Sequence, residues 1–202
     1  MSRIGIFGGT FNPPHKAHRY LAKEMKRCAE LDKIIIIPTF VPPHKQTTQL
    51  QSGSDRLEMC KRNFFESYFE ISDIEIIRQG KSYTVDTLET LRKKYPNDEL
   101  FLIIGSDMLL SFHQWYRYQD ILSLATLCVA SREDDVNLGM LVEYAETTLG
   151  KSREKGEIII SKIPPVELSS TLIRKKIADG ADVSDLLCAE VFNYIKEKGL
   201  YT

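Results

Sequence analysis

Charge of neither sign dominates this chain: 27 Lys and Arg stand against 28 Asp and Glu, a formal net charge of -1. That balance removes the global basic field with which a protein draws in nucleic acid. Any anion it binds must be held by local devices. Long apolar runs are missing as well. No stretch approaches the ~18 residues that a membrane helix needs, and the N-terminal run Ile4-Gly5-Ile6-Phe7 is too short for a secretory signal. Cysteine is sparse, with Cys28, Cys60, Cys128 and Cys188 far apart and no C-x-x-C pair. The spacing argues for single buried thiols in a reducing compartment rather than a disulfide framework. These absences leave a soluble, cytoplasmic globular protein as the expectation. Hydrophobic residues, 43% of 202 positions, suffice for one domain with a sizeable core.

Short apolar runs alternate with amphipathic stretches from end to end. Ile4 to Phe7, Ile34 to Ile37, Leu100 to Ile104, Leu124 to Ala130 and Ile158 to Ile160 read as buried strands, apolar on both faces. A further strand around Phe69 to Ile77 is interrupted at Ser72-Asp73. Between the strands, Leu21, Met25, Cys28 and Ala29 share a helical face, as do Leu57, Cys60 and Phe64, and Leu88, Leu91 and Tyr95. Val191, Phe192 and Ile195 repeat the spacing near the C-terminus, with Gly199 as the stop. Loops are expected at Gly8 to Pro14, Pro42 to Gly53 and Asp134 to Asn137. The alternation predicts an α/β fold with a doubly wound parallel sheet, in which ligands bind beyond the carboxyl ends of the strands.

The first strand runs into Gly8-Gly9-Thr10-Phe11-Asn12-Pro13-Pro14-His15-Lys16-Ala17-His18. Two glycines there let the backbone approach a ligand and free N–H groups for phosphate oxygens; a tight turn without a ligand is the competing reading. The spacing matches neither G-x-G-x-x-G nor the Walker motif. His15 and His18, three apart at a helix start, share a face. As zinc ligands they lack partners, because the other histidines are only His44 and His113. As a lone pair they read as solvated surface residues; their position beside a glycine turn favours stabilisation of charge in phosphoryl or nucleotidyl transfer. A second candidate anion device lies at Ser169-Ser170-Thr171-Leu172-Ile173-Arg174: a capped helix start favours phosphate and Arg174 can lean back over it, with a plain N-cap as the competing reading.

Gly8-Gly9-Thr10-Phe11-Asn12-Pro13 with His15-x-x-His18, paired with Ser169-Ser170-Thr171-x-x-Arg174, resembles the nucleotidyltransferase superfamily with the H-x-G-H signature. Within it, Lys81-Ser82-Tyr83-Thr84-Val85-Asp86-Thr87-Leu88, Ile104-Gly105-Ser106-Asp107 and Trp115 are similar to the bacterial nicotinate-nucleotide adenylyltransferases. The motifs span about residues 4 to 174. This chain has Asn12 where the family usually has Asp, and Ala17 where it has Gly. Asn keeps the carbonyl acceptor and loses the charge.

The resemblance implies a Rossmann-like sheet of the nucleotidyltransferase type, folded as a single domain over 1–202 with C-terminal helices (about 170–202) packed on it. It implies transfer of AMP from ATP to nicotinic acid mononucleotide, releasing pyrophosphate, in NAD biosynthesis. On that basis Gly8, Gly9, Thr10, Phe11, His15, His18, Gly105, Asp107, Ser170, Thr171 and Arg174 would bind ATP. His15, His18 and Arg174 would carry catalysis. Lys45, Thr84, Trp115, Tyr116 and Arg132 would bind the mononucleotide, with Trp115, the only tryptophan, stacking on the cationic ring. Mg2+ would arrive on the ATP phosphates with no dedicated protein ligands. No nucleic acid or membrane partner is expected, and a homo-oligomer is compatible with the sequence. Another adenylyl- or cytidylyltransferase, or a non-catalytic nucleotide sensor, are the alternatives.

Overall fold

The computed structural model describes residues 1–42, 50–132, 138–164 and 166–202. Six strands, β1 (Arg3–Gly9), β2 (Lys33–Pro38), β3 (Phe69–Ile71), β4 (Glu99–Gly105), β5 (Thr126–Arg132) and β6 (Ile158–Ile163), form one sheet in the order β3-β2-β1-β4-β5-β6. β1 pairs with β4, β4 with β5 and β5 with β6, all parallel. The helices are α1 (Lys16–Cys28), α2 (Gly53–Asn63), α3 (Ile74–Arg78), α4 (Thr84–Lys94), α5 (Ser106–Leu109), α6 (Tyr118–Leu124), α7 (Leu138–Thr147), α8 (Ser170–Ala178) and α9 (Ala189–Lys198). The doubly wound α/β expectation is met. None of the described helices is long and apolar enough to cross a membrane.

The chain forms two compact units, each discontinuous in sequence. One comprises Met1–Phe7, Leu21–Ile35 and Tyr83–Pro165. Its strands are almost wholly apolar, since residues covered on both faces have no use for alternation; Leu100 to Ile104 and Leu127 to Ala130 are all buried. Gly5 belongs to this packing. A Cβ there would stand 2.7 Å from Leu31 and 3.0 Å from Ile34, so β1 can approach its neighbours only without a side chain.

The other unit comprises Gly8–Tyr20, Ile36–Ser82 and Val166–Thr202. Its core joins Met59 of α2 to Ile173 of α8, to Val183 and Leu187, and to Val191 and Ile195 of α9. Helix α9 ends as its sequence predicts. Gly199 takes φ 59°, and the Leu200 N–H turns back to the Ile195 carbonyl at 3.0 Å. Ser169 caps α8 by accepting the Leu172 N–H at 3.2 Å.

Several element boundaries differ from expectation: β1 runs on through Gly8 and Gly9, and β6 runs on to Ile163. The fifth strand starts at Thr126, not Leu124, because Leu124 closes α6. The segment from Phe69 to Ile77 is a three-residue strand followed by α3, whose Glu75 is buried against Arg78. Of the four free thiols, Cys60, Cys128 and Cys188 are buried, whereas Cys28 is half-buried.

Candidate functional site

The end of β1 and the stretch after it are built from the two terminal glycines of the strand outward. Gly8 is exposed, with no atom within 4 Å of where a Cβ would stand. Gly9 faces the opposite situation, since its Cβ would lie 2.8 Å from the Phe11 ring. Phe11 reaches that position through a left-handed backbone, φ 47°, and sets its ring edge-on to His18 at 5.1 Å and to Phe64 at 5.7 Å. Its side chain is packed away, so what Phe11 presents to a ligand is backbone.

From Asn12 to His15 the segment is tied by donors distant in sequence. The Asn12 carbonyl accepts from Arg174 Nη1 at 2.9 Å, and Asn12 Oδ1 accepts from the Gln51 N–H at 3.2 Å and the Tyr201 hydroxyl at 2.8 Å. The Pro13 carbonyl accepts from the Ser170 hydroxyl at 2.8 Å, and the His15 carbonyl from Asn63 Nδ2 at 3.5 Å. That carbonyl also takes the first helical N–H groups of α1, from His18 at 3.0 Å and Arg19 at 3.3 Å. Ala17 is half-buried in the same turn. The two histidines therefore straddle a helix start whose geometry is fixed from both sides.

Their rings stack at 3.7 Å with 27° between planes, and the His15 N–H donates to His18 Nδ1 at 3.3 Å. An Nδ1 that accepts a hydrogen bond carries no proton, so neutral His18 holds its proton on Nε2 and can donate it. His15 is only 3% exposed, and burial lowers its pKa to about 4. At neutral pH it is an uncharged ring, and its Nδ1 is buried without a partner.

Arg174 spends Nη1 on Asn12 and Nη2 on Thr171 Oγ1 at 3.3 Å, leaving its buried Nε without a partner. Ser170 gives its one hydroxyl proton to Pro13, so toward an anion its remaining donor is the backbone N–H. The first-turn N–H groups of Ser170 and Thr171 have no intrahelical acceptor by geometry, and they sit at the positive end of α8. Gly8, Gly9, Thr10, His15, His18, Ser170, Thr171 and Arg174 thus all belong to one compact unit, with the late serine-rich turn bonded directly to the histidine segment.

Sequence reasoning missed the residues beneath this segment. Arg56, 1% exposed on α2, donates from Nη1 to the Thr10 carbonyl at 3.0 Å and to that of Thr39. From Nη2 it donates to Phe40 at 3.2 Å, and from Nε to Gln51 at 3.0 Å. One buried guanidinium thereby joins the loops after β1 and β2 to the approach to α2. The available signal was an arginine one turn before Cys60, on the apolar face of α2.

Gly105, Asp107, Thr84, Trp115 and Tyr116 belong to the other unit. Gly105 ends β4, and a Cβ there would meet Asp107 Oδ1 at 2.5 Å, so the carboxylate folds over the glycine. Asp107 does not cap α5; Gly105 occupies that position with no side-chain bond. Thr84 opens α4 and is half-buried. Trp115 is half-buried and tilted 34° on the buried Phe112 ring, 4.9 Å away. Tyr116 is 54% exposed and lies 4.8 Å from Tyr83. Arg117, at φ 53°, pairs with Asp120 at 2.6 Å and Glu89 at 2.8 Å. Arg132 closes β5; its side chain, like Lys45, lies outside the described residues. Among the described residues no three His, Cys, Asp or Glu side chains converge as a metal cage.

A Rossmann-like sheet whose first strand ends in two glycines, followed by paired imidazoles that are bonded to a capped helix start carrying Arg174, defines a nucleotidyltransferase class. The family model described as cytidylyltransferase-like matches residues 6–176. The chain is 36% identical over 202 residues to the nicotinate-nucleotide adenylyltransferase of Bacillus subtilis, covering 100% of this chain and 99% of that protein. It is 40% identical over 203 residues to a Halalkalibacterium halodurans protein named "Probable nicotinate-nucleotide adenylyltransferase", covering 100% and 92%. The chain belongs to the nicotinate-nucleotide adenylyltransferase family. A solved structure of the Plasmodium falciparum nicotinic acid mononucleotide adenylyltransferase complexed with NaAD matches it with a TM-score of 0.76. That match covers 100% of this chain and 98% of the other at 17% identity, a likeness of fold.

Proposed function

We propose that this chain transfers adenylate from ATP to the 5'-phosphate of nicotinic acid mononucleotide, giving nicotinic acid adenine dinucleotide and pyrophosphate as a step of NAD biosynthesis. An oxygen of the mononucleotide phosphate attacks the α-phosphorus, and the bond to the bridging oxygen of the β-phosphate breaks. Two anions must be brought together, so catalysis rests on alignment and on donors aimed at developing charge. The substrate supplies its own nucleophile, and no covalent enzyme intermediate is required.

The observation that carries this reading is the direct bonding of Ser170 and Arg174 to the segment that bears the stacked histidines. Within it, the Gly8, Gly9 and Thr10 backbone holds phosphate oxygens. His18 Nε2–H and the neutral His15 ring donate to the α-phosphate and the leaving group. Arg174 and the first-turn N–H groups of α8 hold the β- and γ-phosphates. An uncharged His15 suits this role, because a donor needing no counter-ion stays in place through the reaction. Mg2+, carried on the ATP phosphates, would neutralise triphosphate charge and suits a site with no acidic cage among the described residues. Gly105 and Asp107 are assigned to the ATP ribose side. Trp115 stacks on the cationic ring, Thr84 and the Tyr116 backbone take its carboxylate, and Lys45 and Arg132 serve the mononucleotide. We assign the whole chain to one nucleotidyltransferase domain working in the cytoplasm.

Pyrophosphate release from ATP with purified protein tests the reading, comparing nicotinic acid mononucleotide with its carboxamide counterpart. The acid is expected to give the higher kcat/KM, because backbone N–H donors match a carboxylate and leave the amide's own donors unpaired. A preference for the amide, or turnover with pantetheine phosphate instead, defeats it.

A further inference from the structure

We infer that Tyr201, the penultimate residue of the chain, is a positioning residue for catalysis: its hydroxyl holds the Asn12 side chain and so fixes the segment that presents His15 and His18. The inference rests on the adenylyl transfer proposed above. The contact spans 189 residues of sequence and is short, 2.8 Å from the hydroxyl to Asn12 Oδ1.

The end of the chain is shaped to make it. Gly199 stops α9, Leu200 tucks back into the core beside it, and Tyr201 then adopts φ 67°. A tyrosine rarely takes a left-handed backbone, and here it does so where its ring packs against the cluster around Met59 and its hydroxyl reaches Asn12. Burial raises the phenol pKa above its usual value of 10, against the pull of the Arg174 and Arg56 charges. The hydroxyl therefore keeps its proton at any working pH and remains a donor.

What it holds is the hub of the segment. Asn12 is 3% exposed, and water has little access to replace a lost donor. Its carbonyl is the acceptor for Arg174 Nη1, its Oδ1 receives the Gln51 N–H, and Pro13 beside it takes Ser170. Three residues further on stands His15. The departure from Asp to Asn at position 12 fits this network: a neutral amide oxygen accepts from both Gln51 and Tyr201 without placing a buried carboxylate there. Releasing one of the two donors lets the side chain turn, and the error passes to the histidines through a short, rigid Pro-Pro stretch. Small misplacement of a donor is costly in a reaction that depends on alignment.

Tyr201→Phe keeps the ring and removes only the hydroxyl. Steady-state assays of wild type, Tyr201→Phe, Asn12→Ala and the double variant, each checked for folding by circular dichroism and thermal unfolding, test the inference. Tyr201→Phe is expected to lower kcat by about tenfold with KM for the mononucleotide changed less than about threefold. The double variant should be no slower than Asn12→Ala alone, because both changes break one link. Wild-type kcat in a folded Tyr201→Phe, or losses that simply multiply in the double variant, overturns the positioning role. Absence of turnover in the wild type instead overturns the adenylyl transfer on which it rests.

Discussion

The segment from Gly8 to His18 and the segment from Gly105 to Arg117 both leave a parallel strand through glycine, yet they are held in opposite ways. The first is fixed by partly or fully buried hydrogen bonds between neutral acceptors and remote donors: Arg174, Ser170, Tyr201, Gln51 and Asn63. The second is held on its outer side by Arg117 with Asp120 and Glu89, ion pairs exposed to solvent. Exposed pairs are screened by water and contribute little, whereas a buried donor or acceptor stranded without its partner costs about 1–3 kcal/mol. The first segment is therefore pre-organised, and the second, anchored inside by the buried Leu109 and Phe112, is the more compliant on its outer side. The proposed chemistry asks for that division, because transition-state charge needs donors in fixed places while a stacked ring tolerates some sliding.

The largest effect is expected at His18. Replacing it with Ala removes the Nε2–H donor and the stacking on His15 but leaves Arg174, Ser170, Tyr201, Gln51 and Asn63 holding the loop, so kcat should fall on the order of 1,000-fold. ATP affinity, read by calorimetry, should stay within a few-fold of wild type. Equal losses in turnover and ATP binding would mean the segment as a whole had collapsed, and the contrast between a rigid scaffold and a removable donor would be lost.

Acid should weaken the rigid segment in particular. The pKa of His15 falls from 6.5 to about 4 on folding because burial disfavours its charged form. Above pH 6.5 the ring is neutral in both states and no penalty exists. Between 6.5 and about 4 the unfolded chain takes up a proton that the folded one refuses, so stability falls with pH through that window. The full loss is about 3 kcal/mol by linkage. Urea unfolding of wild type and His15→Gln from pH 7 to pH 4 isolates it from the carboxylates, since only the wild type should show this slope. Identical slopes would remove His15 from the account.

This contrast also shows what was legible in the sequence. Strands rich in Ile and Leu announced themselves, and so did glycines and histidines, residue types that a phosphate turn needs and a core does not. The boundary at Leu124 misled because the last turn of α6 and the start of β5 draw on the same apolar residues, and periodicity cannot separate them in so short a run. Ile74, Ile76 and Ile77 favour strand by propensity, yet α3 forms there, with Glu75 buried beside Arg78. Arg56, Asn63 and Tyr201 stayed silent for another reason. Their partners lie 46, 48 and 189 residues away; Arg56 and Asn63 donate to backbone carbonyls that any sequence would supply, and Tyr201 to a side-chain amide at the far end of the chain.

The compliant segment gives the smallest effect and the sharpest check on the comparison. Trp115 rests on Phe112, with the ring half-buried, so one face is committed to packing and the remainder can receive a cationic pyridine ring. Such stacking contributes about 1–2 kcal/mol. Trp115→Ala should raise KM for the mononucleotide by about tenfold while KM for ATP and kcat at saturation hold steady, and Trp115→Phe should recover part of the loss. Contact with the ring is then uniform binding, equal in ground and transition states, which is what a surface free to adjust supplies. A fall in kcat instead would mean that this segment, too, fixes reacting atoms, and its ion pairs would have to be credited with a rigidity that exposed charges do not ordinarily give.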